Sequence, residues 1–271
     1  MKKNVKKLLF IALAITAFSS CKKDSPTPTF NEGLYEDGYF VTNEGNFGAG
    51  NGSISFVSNN GTVENNIFEK VNNFLLGDVV QSMNIINNQA YIVVNNSSKI
   101  EVASIDSLKY VTTIDDLVSP RYISKVSENK AYVSDWGING VQVIDLITNS
   151  VVSSITCGNG PEGMAVSGDN VYVCNSGGWG LDDKVTVINS LTDEVETELI
   201  VGDKPKSTVV DLNGDVWVLA TGNTEYDAYW NIVGHSAGKL IKINGATAEI
   251  DKTFTFSDST EHPTNLIINE S

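Results

Sequence analysis

The chain has 271 residues and a formal net charge of −15, with 33 Asp+Glu against 18 Lys+Arg. An apolar fraction of 41% is enough to bury a core, which excludes a disordered chain. So acidic a surface repels phosphates, which excludes sequence-independent binding to nucleic acid. With 2 His in the chain, most hydrolytic and metal chemistries lack their usual residue.

In chain order, Lys2, Lys3, Lys6 and Lys7 precede an apolar run from Leu8 to Phe18. The run is shorter than the roughly 20 residues that cross a bilayer, so residues 1–20 are expected to be a signal peptide. Phe18-Ser19-Ser20-Cys21 resembles a bacterial lipobox of the relaxed Bacteroidota type, with Phe18 where Leu is usual. That resemblance implies a lipid on Cys21, and Lys22-Lys23-Asp24 resembles the charged tag that sends such lipoproteins to the outer surface. Residues 21–33, with Pro26 and Pro28, then form the lipidated N-terminus and an extended linker, and residues 34–271 the folded domain.

From there a repeat runs through the chain. An aromatic-Val strand recurs as Tyr39-Phe40-Val41, Tyr91-Ile92-Val93, Tyr132-Val133, Tyr172-Val173 and Trp217-Val218. Pro120, Pro161 and Pro205 precede the last three, and Pro263 opens a further copy. A period of about 40 to 50 residues, filled with short strands, indicates propeller blades rather than helical solenoids. The copy after Pro161 reads as four strands: Gly163 to Ser167, Val171 to Asn175, Val185 to Asn189 and Val195 to Val201. Alternation is clearest in the third strand of each copy, as in Ile100-Glu101-Val102 and Val185-Thr186-Val187. Asn60-Gly61 and Asn213-Gly214 supply hairpin turns.

Tyr39-Phe40-Val41-Thr42-Asn43, and the run from Val141-Gln142-Val143-Ile144-Asp145 to Pro161, resemble the YVTN-type (YncE-like) propeller repeat over roughly residues 38 to 271. The resemblance implies an all-β propeller of four-stranded antiparallel blades on a surface lipoprotein. Some similar proteins of Bacteroidota capture corrinoids or other nutrients beside an outer-membrane transporter. Five blades' worth of sequence is present. The N-terminus supplies strands two to four of one blade, and Thr264 to Asn269 is expected to supply its first strand and close the ring. The alternative is a seven-bladed family member truncated at the C-terminus.

Antiparallel blades place every loop between strands two and three at the same rim as the blade linkers. That rim holds Asn43, Asn46 and Phe47, then Asp135 and Trp136, then Asn175 and Trp179, and, in the longest loop, Tyr226, Tyr229, Trp230 and His235. Flat rings interleaved with amides suit an amphipathic ligand such as a sugar or a large ring system, so these eleven residues are the candidate ligand-binding set. Arg121, Glu162, Lys204 and Lys206 share the rim and read first as solvated charges.

Other motifs carry less. Gly234-His235-Ser236-Ala237-Gly238 matches the nucleophile elbow, with Asp251 or Asp258 and His262 in hydrolase order, but an alternating strand follows where a helix is required. Asp211-Leu212-Asn213-Gly214-Asp215 is a turn rather than a calcium loop, and Asp182-Asp183 reads as a solvated pair. Cys157 and Cys174 are expected to be free buried thiols. Together these readings predict a non-enzymatic, lipid-anchored protein on the outer membrane, facing outward. It would take a small or medium-sized nutrient of the corrinoid or glycan class and pass it to a transporter, with no cofactor, metal or nucleic acid. The alternatives are a lyase or hydrolase using His235 with Asp227 or Glu225 in loop 221–239, and an adhesive protein-binding scaffold.

Overall fold

The computed structural model describes residues 35–269. The expected signal peptide, Cys21 and the whole of the linker lie outside them. Among the described residues no helix is long and apolar enough to cross a membrane.

Five sheets follow one another along the chain. The first holds β1 (Gly38–Asn43), β2 (Ser53–Ser58) and β3 (Val63–Glu64), followed by the short helix α1 (Ile67–Asn72). The second holds β4 (Val80–Ile86), β5 (Gln89–Val94), β6 (Lys99–Ser104) and β7 (Tyr110–Ile114). The third holds β8 (Pro120–Lys125), β9 (Lys130–Asp135), β10 (Gly140–Asp145) and β11 (Ser150–Thr156). The fourth holds β12 (Pro161–Ser167), β13 (Asn170–Asn175), β14 (Lys184–Asn189) and β15 (Glu194–Ile200). In the fifth, β16 (Pro205–Val210) and β17 (Val216–Ala220) pair on to β20 (Lys239–Ile243) and β21 (Ile250–Thr255), and a separate hairpin, β18 (Asn223–Tyr226) with β19 (Ile232–Ser236), fills the long loop. All pairings are antiparallel neighbours in sequence order within each blade, as a propeller requires.

The two-residue period of the strands splits each second strand between its neighbours. In β13, Val171 and Val173 pack towards the third blade, and Tyr172 and Cys174 towards the fifth. Four hydrophobic layers of this kind fill the spaces between the five blades. The polar residues that alternate with Val and Ile in the third strands are buried too, and they are partnered. Glu101 meets Lys99 and Thr113, and Thr186 accepts from Asn175 Nδ2 at 2.9 Å.

The recurring tyrosine has a specific task. Tyr91, Tyr132 and Tyr172 are fully buried, and each hydroxyl reaches into the next blade, at the turn between its third and fourth strands. Tyr91 donates to Asn149 Oδ1 at 2.9 Å, Tyr132 to Asp193 Oδ1, and Tyr172 to the Gly245 carbonyl at 3.1 Å. A phenol buries a large apolar body while its hydroxyl still finds a partner, which a Phe or Leu cannot match at this place.

Two expectations are corrected. In the first blade the residue that packs towards the next blade is Phe40, not Tyr39: Phe40 lies against Tyr35 and Phe56, whereas Tyr39 and Val41 face the opposite, accessible side. A one-residue slip in a strand exchanges its faces, so aligning Tyr39 with Tyr91 put the wrong side inward. Nor do residues 264–269 form the missing first strand. They carry no strand pairing, and Leu266 is tied to β16 instead, its N–H donating to Ser207 Oγ at 3.1 Å. Among the described strands β1 pairs only with β2.

Candidate functional site

At the rim end of four innermost strands the ladder is interrupted at the same place. In β4, β8, β12 and β16 one extra residue is accommodated directly after Val80, Pro120, Pro161 and Pro205. Such bulges bend a strand and redirect a side chain, and here they carry Gln81, Arg121, Glu162 and Lys206. The four occupy one repeat position in consecutive blades.

Three of them join hand to hand. Arg121 donates from Nη1 to Gln81 Oε1 at 2.5 Å, and from Nε and Nη2 to Glu162 Oε1 at 3.2 and 2.9 Å. Glu162 is only 1% exposed, and its other oxygen, Oε2, has no partner. Burial pushes the Glu162 carboxyl above the usual glutamate range, opposed by the positive charges of Arg121 and Lys206. The guanidinium also lies over the ring of Trp136, 4.2 Å from its centroid. The Trp136 indole N–H is buried without an acceptor.

Arg121, Glu162 and Trp136 wall a cleft of ≈ 240 Å³, the mouth, which adjoins a second of ≈ 260 Å³ running past β4, β8, β12 and β16; Lys206 and Thr264 line both. The mouth is bounded by Arg121, Trp136, Glu162, Lys204, Lys206 and His262. Neither the Lys204 nor the Lys206 ammonium group makes a hydrogen bond or ion pair among the described residues. His262 donates from Nδ1 to the Thr221 carbonyl at 2.9 Å, and its Nε2 lies 3.0 Å from Thr224 Oγ1. His235 Nδ1 is 3.2 Å from the same hydroxyl, so one threonine bridges the chain's two histidines.

Trp179 projects beyond the mouth. It is 98% exposed and meets Trp136 edge-on, with ring centroids 5.8 Å apart. Two glycines allow this approach. Gly160 has φ +56°, and a Cβ there would fall 2.0 Å from the Gly178 nitrogen, so only glycine lets the blade linker touch the Trp179 loop.

The other predicted site residues divide into two groups. Asp135 is fully buried, and its carboxylate accepts from the backbone N–H groups of Val118, Ser119 and Gly137 at 2.8–2.9 Å; it braces the loop that carries Trp136. Asn175 is fully buried against Thr186, and Asn43 bonds Ser53 and Ser55. The Asn46 N–H donates to Asn51 in its own loop, and Asp182 braces Asn159 and Lys184. These polar groups hold the rim loops in place.

Phe47 stands exposed on the first blade. Tyr226 and Trp230 meet at the tip of the β18–β19 hairpin with centroids 6.0 Å apart, and Tyr229 is exposed beside them. No ring contact joins that hairpin or Phe47 to the Trp136–Trp179 pair among the described residues. Asp227 shapes the hairpin tip, accepting from Tyr229 and Asn231, and His235 bonds Thr224 rather than Asp227 or Glu225. Ser236 lies within β19, bonded to Asp203, and a strand follows it, so the nucleophile-elbow geometry is absent. Cys157 and Cys174 are free thiols, Cys174 buried and Cys157 half-buried. No cluster of three or more His, Cys, Asp or Glu fit to hold a metal occurs among the described residues. The signal that marked Arg121, Glu162 and Lys206 in the sequence was their place directly after each landmark Pro.

A family described as "Domain of unknown function (DUF5074)" matches residues 37–265. The chain belongs to the DUF5074 family. Three solved structures are similar to this DUF5074 chain. A quinoprotein alcohol dehydrogenase-like protein from Bacteroides thetaiotaomicron VPI-5482 aligns at TM-score 0.57 and 15% identity, over 81% of this chain and 51% of that one. The dihydro-heme d1 dehydrogenase NirN aligns at TM-score 0.56 and 12% identity, over 76% and 44%. Kuenenia stuttgartiensis hydrazine synthase aligns at TM-score 0.54 and 17% identity, over 64% and 47%. At these identities the likeness shows the propeller fold alone, and the DUF5074 chain spans about half the length of each. The PE-PGRS family protein PE_PGRS18 of Mycobacterium tuberculosis is 61% identical over 36 residues, which cover 13% of this chain and 8% of that protein.

Proposed function

We propose that this protein is a non-enzymatic, lipid-anchored binding module on the outer membrane, facing outward. It captures a small or medium-sized nutrient of the glycan or corrinoid class at the axial mouth and hands it to a membrane transporter. One observation carries the reading: Trp179, 98% exposed, is held edge-on to Trp136 directly beside the buried Arg121–Glu162 pair. A large ring kept in water at the lip of a polar cleft loses surface free energy unless a ligand covers it. The YVTN-type repeat and the lipobox-like Cys21 support the anchored, outward placement.

Titration calorimetry against glycans and corrinoids tests the binding. Trp179→Ala is expected to weaken the ligand at least tenfold, with circular dichroism unchanged. Absence of heat across both classes, or equal affinity for the variant, would overturn it. For the anchor, Cys21→Ser is expected to move the protein from the membrane fraction to the soluble one.

A further inference from the structure

We propose that the mouth is built for an acidic sugar, a ring bearing a carboxylate next to hydroxyl groups. This deepens the binding reading above and rests on it. Every polar group left without a partner at the mouth points to one part of such a ligand. Lys204 and Lys206 border the cleft with Arg121, and the one carboxylate in its lining, Glu162, feels the charge of Lys206 but is hydrogen-bonded by Arg121 through Oε1, so three cations face one acid. The mouth therefore keeps two positive charges on a chain whose formal total is −15.

Glu162 is the one acid in the lining of the mouth; Asp203, next to Lys204 in sequence, is bonded to Ser236. At physiological ionic strength charges more than about 8 Å away are largely screened, so an anion entering the cleft is governed by the two lysines. A carboxylate placed there accepts from both ammonium groups. A phosphodiester would satisfy the lysines equally well, but its phosphate carries no O–H to donate to Glu162, and inorganic phosphate has no apolar face for Trp179.

Glu162 supplies the second requirement. Its Oε2 is buried in the cleft wall with no donor, which is costly for a carboxylate and calls for a hydroxyl or similar N–H or O–H group. The Trp136 indole N–H, also unpartnered, is a donor awaiting an oxygen. A molecule offering carboxylate, hydroxyl donor and hydroxyl acceptor within one ring answers all of these. The exposed face of Trp179 then covers the apolar C–H side of the same ring. A neutral sugar leaves the lysines idle, and a simple carboxylic acid leaves Glu162 and Trp179 idle.

The test titrates the full protein with N-acetylneuraminic acid, glucuronic acid and galacturonic acid, each beside its methyl ester, with cyanocobalamin as a comparison that bears carboxamides in place of carboxylates. At least one acid is expected to bind tenfold or more tightly than its ester, and the ratio should shrink as salt rises. The double variant Lys204→Gln/Lys206→Gln is expected to remove the acid-over-ester preference, the acid losing tenfold or more in affinity and the ester distinctly less. Glu162→Gln is expected to weaken acid and ester alike, with its melting temperature reported alongside; should that variant fail to fold, the lysine variant decides. If every acid binds no better than its ester, or the preference survives loss of both lysines, the inference is wrong. Retained binding of an ester or of cyanocobalamin in that case leaves the capture function standing, whereas no binding by any probe removes both.

Discussion

The two ends of the same blades treat buried polar groups in opposite ways. At the end with the turns between third and fourth strands, Tyr91, Tyr132 and Tyr172 are as buried as any residue in the protein, and each hydroxyl is bonded to the next blade. At the rim end, Glu162 is equally buried, yet half of its carboxylate and the neighbouring Trp136 N–H have nothing to bond. A satisfied buried group contributes to stability, and an unsatisfied one costs stability while it waits for a ligand. One end of the propeller is therefore fully bonded across its blades, while the other keeps unpaired polar groups of the kind the proposed ligand would answer, within strands only a few residues long.

The largest expected effect breaks the cohesive end. Tyr172→Ala removes a fully buried ring between the fourth and fifth blades and should cost about 3–5 kcal/mol by chemical denaturation. Tyr172→Phe, which deletes only the hydroxyl, should cost about 1 kcal/mol, and the gap between the two variants separates packing from hydrogen bonding.

At the rim the sign should differ. Glu162→Gln keeps an acceptor for Arg121 and removes a desolvated charge, so its stability should stay within about 1 kcal/mol of the parent while ligand affinity falls. The pH dependence sharpens this. Burial raises the folded-state Glu162 value, so the folded protein holds that proton more tightly, and the glutamate lowers stability as pH rises from the ordinary glutamate range through the raised value. In Glu162→Gln that downward slope should be missing from melting curves recorded across the interval.

The smallest effect concerns thiols between the blades. Burial pushes Cys157 up to about 12 and raises Cys174 as well, so at pH 8 neither should react with a disulfide reagent until the protein is unfolded. Rapid labelling of either in the native state, detected by mass spectrometry, would contradict the packing described.

Much of the architecture was legible because period and burial coincide. The Tyr-Val strands, the four-strand order after Pro161 and the turn at Asn213-Gly214 all have local causes, alternation and positive φ, that appear in a single sequence. The slip between Tyr39 and Phe40 was not legible, since adjacent aromatics satisfy either face and only tertiary contact with Phe56 decides. The β18–β19 hairpin was hidden in a long loop whose pairing is fixed by Asp227. The mouth was half visible. Trp136 and Trp179 stood out as loop aromatics, but Arg121, Glu162 and Lys206 read as solvated charges, because a bulge that turns a side chain inward leaves no mark in composition. Asp135, at a strand end, reads as a ligand group in the sequence, although here its carboxylate is taken up by the backbone of its own and the preceding loop.

Gln81, Arg121, Glu162 and Lys206 share one column of an internally duplicated chain, and that column is separate from the residues that pair the strands or fill the layers. Shuffling whole blades, by recombination within a gene of this kind, would permute the order of neutral, positive and negative groups around the axis while the strand ladders within each blade were inherited intact. Rearranging modules would thus change the chemistry of the axis with no need to invent a new pocket.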